Sequence, residues 1–189
     1  MNKHLNVLSK LAAGMLISAS LAQFAHADFS ISSKDIVAGE MMPKAQEFTG
    51  FGCSGDNLSP ELSWTDFPKD TKSFAVTAYD PDAPTGSGWW HWVLINIPAD
   101  VNQLVTGAGN PDKNLLPEGS QMFRNDYGTK TFGGACPPEG DKAHRYQFKV
   151  FALNVEKLEL PEDATAALVG YYLHSHAIDT AVLEALYKR

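Results

Sequence analysis

The chain has 189 residues, 44% of them hydrophobic, with 15 Lys and Arg against 22 Asp and Glu, giving a formal net charge of −7 at pH 7. An acidic chain without dense basic patches is a poor partner for nucleic acid or an anionic membrane surface, both of which are held through clustered Lys and Arg. The length suits one domain with a sizeable core, and no repeat, low-complexity tract or linker interrupts it.

Met1 to Ala27 reads as a cleavable secretory signal peptide. Lys3 and Lys10 form a basic lead, a short apolar run from Leu11 follows, and Ala25-His-Ala27 supplies a small-x-small cleavage site. The run is shorter than the ~20 residues a membrane span requires. Cleavage leaves residues 28–189 as a single exported domain and, by removing two lysines, moves the formal charge from −7 to −9. The expected location is the periplasm, with no membrane span.

Short β-type runs separated by turn residues come next: Phe29 to Ser33, Glu61 to Trp64, Phe74 to Tyr79 and Trp90 to Ile97. Strands at such spacing predict an antiparallel sandwich. In the third run, Phe74, Val76, Ala78 and Asp80 fall on one face, so Asp80 leaves the strand pointing coreward. Strict alternation puts His91 on the face of Val93, Ile95 and Ile97. After a long Gly- and Pro-rich stretch from Leu115 to Gly140, a further strand places His144, Tyr146, Phe148 and Val150 together. Three strands thus bring polar groups onto an apolar face near one end. Either these are unrelated strand-end polar residues or they share a pocket, and the pocket is expected because buried charges cost several kcal/mol unless they partner one another.

At the carboxyl end, Pro161 to Gly170 carries start and stop signals for a short helix. Ile178, Val182 and Leu186 predict a second helix from Ala177 to Tyr187. His174 and His176 would share a face if extended, but two imidazoles without further ligands do not make a metal site. The two cysteines, Cys53 and Cys136, lie in glycine-rich loops and are expected to pair after export; two separate thiols are the alternative. Trp89 and Trp90 are candidates for a homodimer face, with core packing as the alternative.

Several stretches resemble the phosphatidylethanolamine-binding protein family, also called Raf-kinase-inhibitor-like, in its short bacterial branch. They are Asn57-Leu-Ser-Pro-Glu-Leu-Ser-Trp64, Tyr79-Asp-Pro-Asp-Ala-Pro84 through Trp90-His-Trp-Val-Leu-Ile-Asn-Ile-Pro98, and Gly134-Ala-Cys-Pro-Pro-Glu-Gly140 with His144-Arg-Tyr146. The resemblance spans essentially the whole mature chain. It implies a mainly β fold in which a large central antiparallel sheet packs on a smaller sheet, with short peripheral helices. It also implies a pocket for phosphate-like anions. Carried over residue by residue, Asp80, His91, His144 and Tyr146 match the polar groups, Pro84, Pro137 and Pro138 the rigid rim, and Gly134 and Ala135 the loop whose backbone faces the ligand. Cys136 stands where a family glycine is found, and the longer carboxyl-terminal helix of eukaryotic relatives is absent. Lipid head-group binding and kinase inhibition therefore follow less directly than the anion pocket.

The expected function is that of an exported binding or regulatory protein, without metal or cofactor, taking a small anionic ligand and modulating a partner protein. Histidine protonation predicts phosphate affinity that strengthens as pH falls from about 8 to 6. The rivals are a phosphoester hydrolase using the Asp/His pocket and a protein or protease inhibitor acting through the Gly/Pro loops. The hydrolase lacks a Gly-x-Ser-x-Gly elbow and a metal-binding cluster, so an enzyme is not the expected reading.

Overall fold

The computed structural model describes residues 27–189; the predicted leader lies outside the described residues, apart from Ala27 itself. The strands in chain order are β1 (Ser30–Ser32), β2 (Thr49–Gly50), β3 (Cys53–Ser54), β4 (Leu62–Thr65), β5 (Ser73–Asp80), β6 (Trp89–Pro98), β7 (Gln103–Leu104), β8 (Gln121–Met122) and β9 (His144–Leu153). A helix, α1 (Ala166–His176), and a last strand, β10 (Ala177–Tyr187), complete the chain. The large sheet has the order β10-β9-β5-β6-β8 and is antiparallel throughout. A three-stranded sheet, β1-β4-β7, packs against one of its faces, and β2 and β3 form a separate hairpin. The expected mainly β architecture with a large and a small sheet is the one observed.

Both faces of the large sheet are buried. Phe74, Val76 and Ala78 of β5 join Tyr146, Phe148 and Val150 of β9 in a core shared with Leu62, Trp64 and Leu104 of the small sheet. Ala75, Val93, Ile95, Phe151 and Leu153 occupy the opposite face beneath Val169 and Leu173 of α1. Each large apolar side chain so enclosed contributes about 1.5–3 kcal/mol relative to exposure. Two-sided burial explains why β5 and β6 read as nearly unbroken apolar runs rather than as clean alternations.

Strict alternation fails in β6, and the failure positions the site. Tyr79 pairs with Trp90 and Ala78 with Trp92, so His91 is an extra residue with no partner on β5. This is a β-bulge, a device that redirects a side chain. His91 consequently joins the face of Trp92 and Leu94, where its ring lies 5.1 Å from that of Tyr146, not the face of Val93 and Ile95 as the alternation predicts. A second shift lies between Phe74 and Val76. There Asn96 adopts φ 59°, and its side chain donates to Leu158 O at 3.3 Å and accepts from Leu158 N at 2.8 Å. Ile95 and Ile97 therefore face opposite cores.

The carboxyl end corrects two further expectations. The helix begins later than predicted and runs through Gly170; Thr165 caps it by accepting from Leu168 N at 3.2 Å. His174 and His176 lie on this helix, so they are not extended. Ala177–Tyr187 is a strand, paired along β9 from Leu153 to His144. Ile178, Val182 and Leu186 are spaced by four, a multiple of two, so the pattern that suggested a helix fits a strand equally. The buried alternation Ala181, Leu183, Ala185, Tyr187 decides between them.

Cys53 and Cys136 form a disulfide across a sequence separation of 83, joining the β2–β3 hairpin to the loop before β9. Closing so long a loop stabilises by about 4 kcal/mol in the chain-entropy description. The double variant Cys53→Ser/Cys136→Ser is expected to lose roughly that much unfolding free energy. Urea denaturation followed by Trp fluorescence checks it; an unchanged midpoint would show that the bridge does not constrain the unfolded chain.

Candidate functional site

Asp80 ends β5 and is buried, at 2% exposure. A carboxylate in such a place needs donors for each oxygen. Its Oδ1 accepts from the backbone N–H of Asp82 (2.8 Å) and Ala83 (3.1 Å), the local turn that the Asp-Pro-Asp-Ala sequence favours. Its Oδ2 accepts from His144 Nδ1 at 2.8 Å. Asp80 thereby fixes the His144 tautomer, leaving Nε2 free of that bond and 3.6 Å from Asp141 Oδ2. The turn is clamped from outside by Asp82, whose carboxylate meets the Arg145 guanidinium in a two-pronged bond, 2.9 Å for each prong. That hydrogen bond holds the Asp82 carboxyl at about 2, below the ordinary range.

His91 enters from the bulge. Its Nδ1 lies 2.8 Å from Gly133 O and 3.1 Å from Gly134 O, and since carbonyls only accept, Nδ1 carries the proton. Complete burial lowers the pKa of His91, outweighing the two carbonyls and the Asp80 charge, which pull the other way. The neutral ring therefore presents Nε2 as an unshared lone pair. Tyr146, on the ring edge 5.1 Å away, is raised by burial and by Asp80, so its hydroxyl keeps its proton.

The loop carrying Gly134 and Ala135 turns its backbone polar atoms into the protein. Gly134 N–H donates to Asn57 Oδ1 at 2.6 Å, and its carbonyl accepts from His91 and from the Tyr127 hydroxyl at 2.9 Å. Ala135 N–H donates to Gln46 O, and its carbonyl accepts from Phe48 N. Both backbones are occupied within the protein, and neither residue lines the cavity. Their role is to seat His91. Gly134 is required there because a Cβ would stand 2.3 Å from Gln46 O.

Asp80, His91, His144 and Tyr146 line one cavity of about 190 Å³, with Pro84, Pro137 and Pro138 at its rim. Seven of the nine expected ligand-side residues are thus brought together. The sequence reading missed Phe51, Ala83, Thr85 and Tyr127, which also line the cavity, and did not place Trp89 there. Ala83 lies inside the Asp-Pro-Asp-Ala-Pro motif and Thr85 directly follows it, so both are within reach of the sequence; Tyr127 sits in an aperiodic loop that offers no such signal. Trp90 packs on Tyr79 at 4.7 Å and on the helix-side core, and both tryptophans are half-buried. Among the described residues no group of three or more His, Cys, Asp or Glu could hold a metal ion, and no helix is long and apolar enough to cross a membrane.

The fold and this cavity define a phosphatidylethanolamine-binding protein type of domain, and the chain belongs to that family, whose profile matches residues 32–188. Among its relatives is the UPF0098 protein YbcL of Escherichia coli (strain K12), 52% identical over 162 residues, which cover 86% of this chain and 88% of YbcL. The UPF0098 protein YbhB of the same organism is 46% identical over 155 residues, covering 82% and 97% of the two chains. The crystal structure of E. coli YbcL, described as a new member of the mammalian PEBP family, matches with a TM-score of 0.84 over 86% of this chain and 99% of that one. The PEBP homolog CT736 from Chlamydia trachomatis matches at 0.71 with 29% identity, covering 86% and 98%.

A native histidine held neutral by burial stabilises the fold above its unfolded pKa of about 6.5, and that contribution is lost as pH falls from there toward the lower folded value. Wild-type unfolding free energy is therefore expected to drop below about pH 6.5 with a slope approaching about 1.4 kcal/mol per pH unit from this group. In His91→Gln that part of the slope disappears. Urea titrations of both proteins between pH 7.5 and 5 measure the difference; parallel profiles would remove His91 from the acid response.

Proposed function

We propose that this protein is an exported binder whose cavity takes small phosphate-type anions and whose ligand state modulates a partner protein. The observation that carries the reading is a set of unsatisfied atoms. Trp89 Nε1, His91 Nε2 and the Tyr146 hydroxyl are buried without a hydrogen-bond partner, and all three side chains line the one cavity. Buried polar groups without partners cost about 1–3 kcal/mol each. An oxygen-rich ligand removes that cost, because the indole and the phenol donate and a phosphoryl group accepts.

The histidine geometry specifies how protonation enters. With Nδ1–H committed to Gly133 and Gly134, His91 Nε2 must gain a proton before it can donate to an anion. Burial opposes that gain until the anion arrives, so binding takes up a proton and tightens as pH falls. The same direction holds if the ligand brings the proton as a hydrogen phosphate. Burial moves the responsive window below the 8-to-6 range that an ordinary histidine implies.

Binding is favoured over hydrolysis by the state of the side chains a nucleophile would come from. Cys136 is bridged to Cys53, and the Thr85 hydroxyl donates to Gly88 O at 2.5 Å. The disulfide suits an oxidising compartment, in agreement with the expected leader.

Isothermal titration with inorganic phosphate at several pH values from 8 to 5.5 tests the reading. Affinity is expected to rise toward acid, by up to about tenfold per pH unit where one proton is taken up. Tyr146→Phe should weaken binding about tenfold, the worth of one hydrogen bond to a charged group. Absence of binding at every pH, or Tyr146→Phe indistinguishable from wild type, would overturn it.

A further inference from the structure

The β2–β3 hairpin carries an aromatic ring where neither backbone nor solvent favours one. Thr49 pairs with Ser54 and Gly50 with Cys53, so Phe51-Gly52 is a two-residue turn with φ of 50° and 84°. Positive φ at both central positions is the requirement of the type I′ hairpin, where Asn-Gly is preferred and a bulky aromatic at the first position is strained. Phe51 is nonetheless there, and it is 73% exposed. Strain of this kind persists where the surrounding structure imposes it. Here the Cys53–Cys136 bridge anchors one strand. Glu47 holds the same strand, accepting from Ser54 N, and is itself fixed by accepting from the Tyr187 hydroxyl.

The exposed ring is the end of a wall. Phe48 and Tyr127 stack at 4.1 Å with an interplanar angle of 18°, and Phe51 lies 5.8 Å from Tyr127 at 22°. Phe51 and Tyr127 line the cavity, and Trp89 meets Tyr127 edge-on at 5.4 Å. Among the described residues no Lys or Arg lines this cavity, while the carboxylate of Asp80 does. A ligand held only by its negative charge would find little to attract it. Apolar and ring contacts have to supply the rest.

We propose that the cavity selects aryl phosphates: the phosphoryl oxygens meet Tyr146, His91 and Trp89, and the aryl ring packs on the Phe51–Tyr127 wall at the rim. The inference rests on the anion reading above and adds the class of the group attached to the phosphate. Its binding depends less on salt than that of a Lys- or Arg-lined site, because no permanently charged cation lines the cavity.

Phenyl phosphate, cyclohexyl phosphate and inorganic phosphate, titrated into the wild-type protein at one pH and ionic strength, separate the two readings. Phenyl phosphate is expected to bind roughly tenfold tighter than cyclohexyl phosphate, the upper range for a ring–ring contact beyond its area. Phe51→Ala and Phe51→Leu should both abolish that preference, read as the ratio of the two ester affinities within each variant; the leucine variant keeps apolar bulk at the tip. Equal affinity for the two esters, or a preference that survives both variants, overturns the aryl inference while phosphate binding stands. Failure of all three compounds to bind overturns both.

Discussion

The buried carboxylate of Asp80 is the interaction on which the rest of the site depends. Its two oxygens receive three donors, two from the backbone of its own turn and one from His144 on the neighbouring strand. Those bonds do different jobs. The backbone pair folds the Asp-Pro-Asp-Ala segment back over the cavity mouth, and the imidazole bond sets which nitrogen of His144 remains available. Removing such a partner from a buried pair costs about 3–5 kcal/mol, because the survivor is left desolvated and alone. Burial, reinforced by the same negative charge felt across the cavity, keeps the phenols of Tyr127 and Tyr146 protonated.

Around that anchor, rigidity comes from several unrelated sources converging on one rim. Arg145 grips Asp82 from outside, the disulfide ties the hairpin to the loop before β9, and Arg189 Nε donates to Pro137 O at 2.7 Å. Asn57 holds the Gly134 loop from beneath through both ends of its amide. None of these side chains except Cys136 lines the cavity. A preformed cavity of this kind spends little ordering entropy on binding, which matters where the attached charges are few.

Much of the site was legible in the sequence because it sits where strands end. The positions of Asp80, His144 and Tyr146 follow from period-2 counting on β5 and β9, which run without interruption through those residues. Period-2 counting could not place His91, since the bulge that redirects it depends on pairing with β5. The resemblance has the Gly134 and Ala135 backbone facing a ligand, whereas their polar atoms are absorbed by Gln46, Phe48 and Asn57, residues remote in sequence, and by Tyr127. The last strand reads as a helix in sequence because a repeat of four satisfies both periods. Phe51 carried no signal beyond its glycine neighbours; its significance needs the backbone angles and the rings that stand behind it.

The bulge at His91 sets sheet regularity against the cavity. The ladder between β5 and β6 would be better formed with one residue fewer between Trp90 and Trp92, since the surplus residue is the one without a counterpart. A deletion there would mend the pairing and empty the pocket of its imidazole. The same residue also ties the following loop to the sheet, since its carbonyl accepts from Gly133 N at 2.9 Å and from Asn125 Nδ2 at 3.2 Å, so one irregularity serves both the scaffold and the cavity.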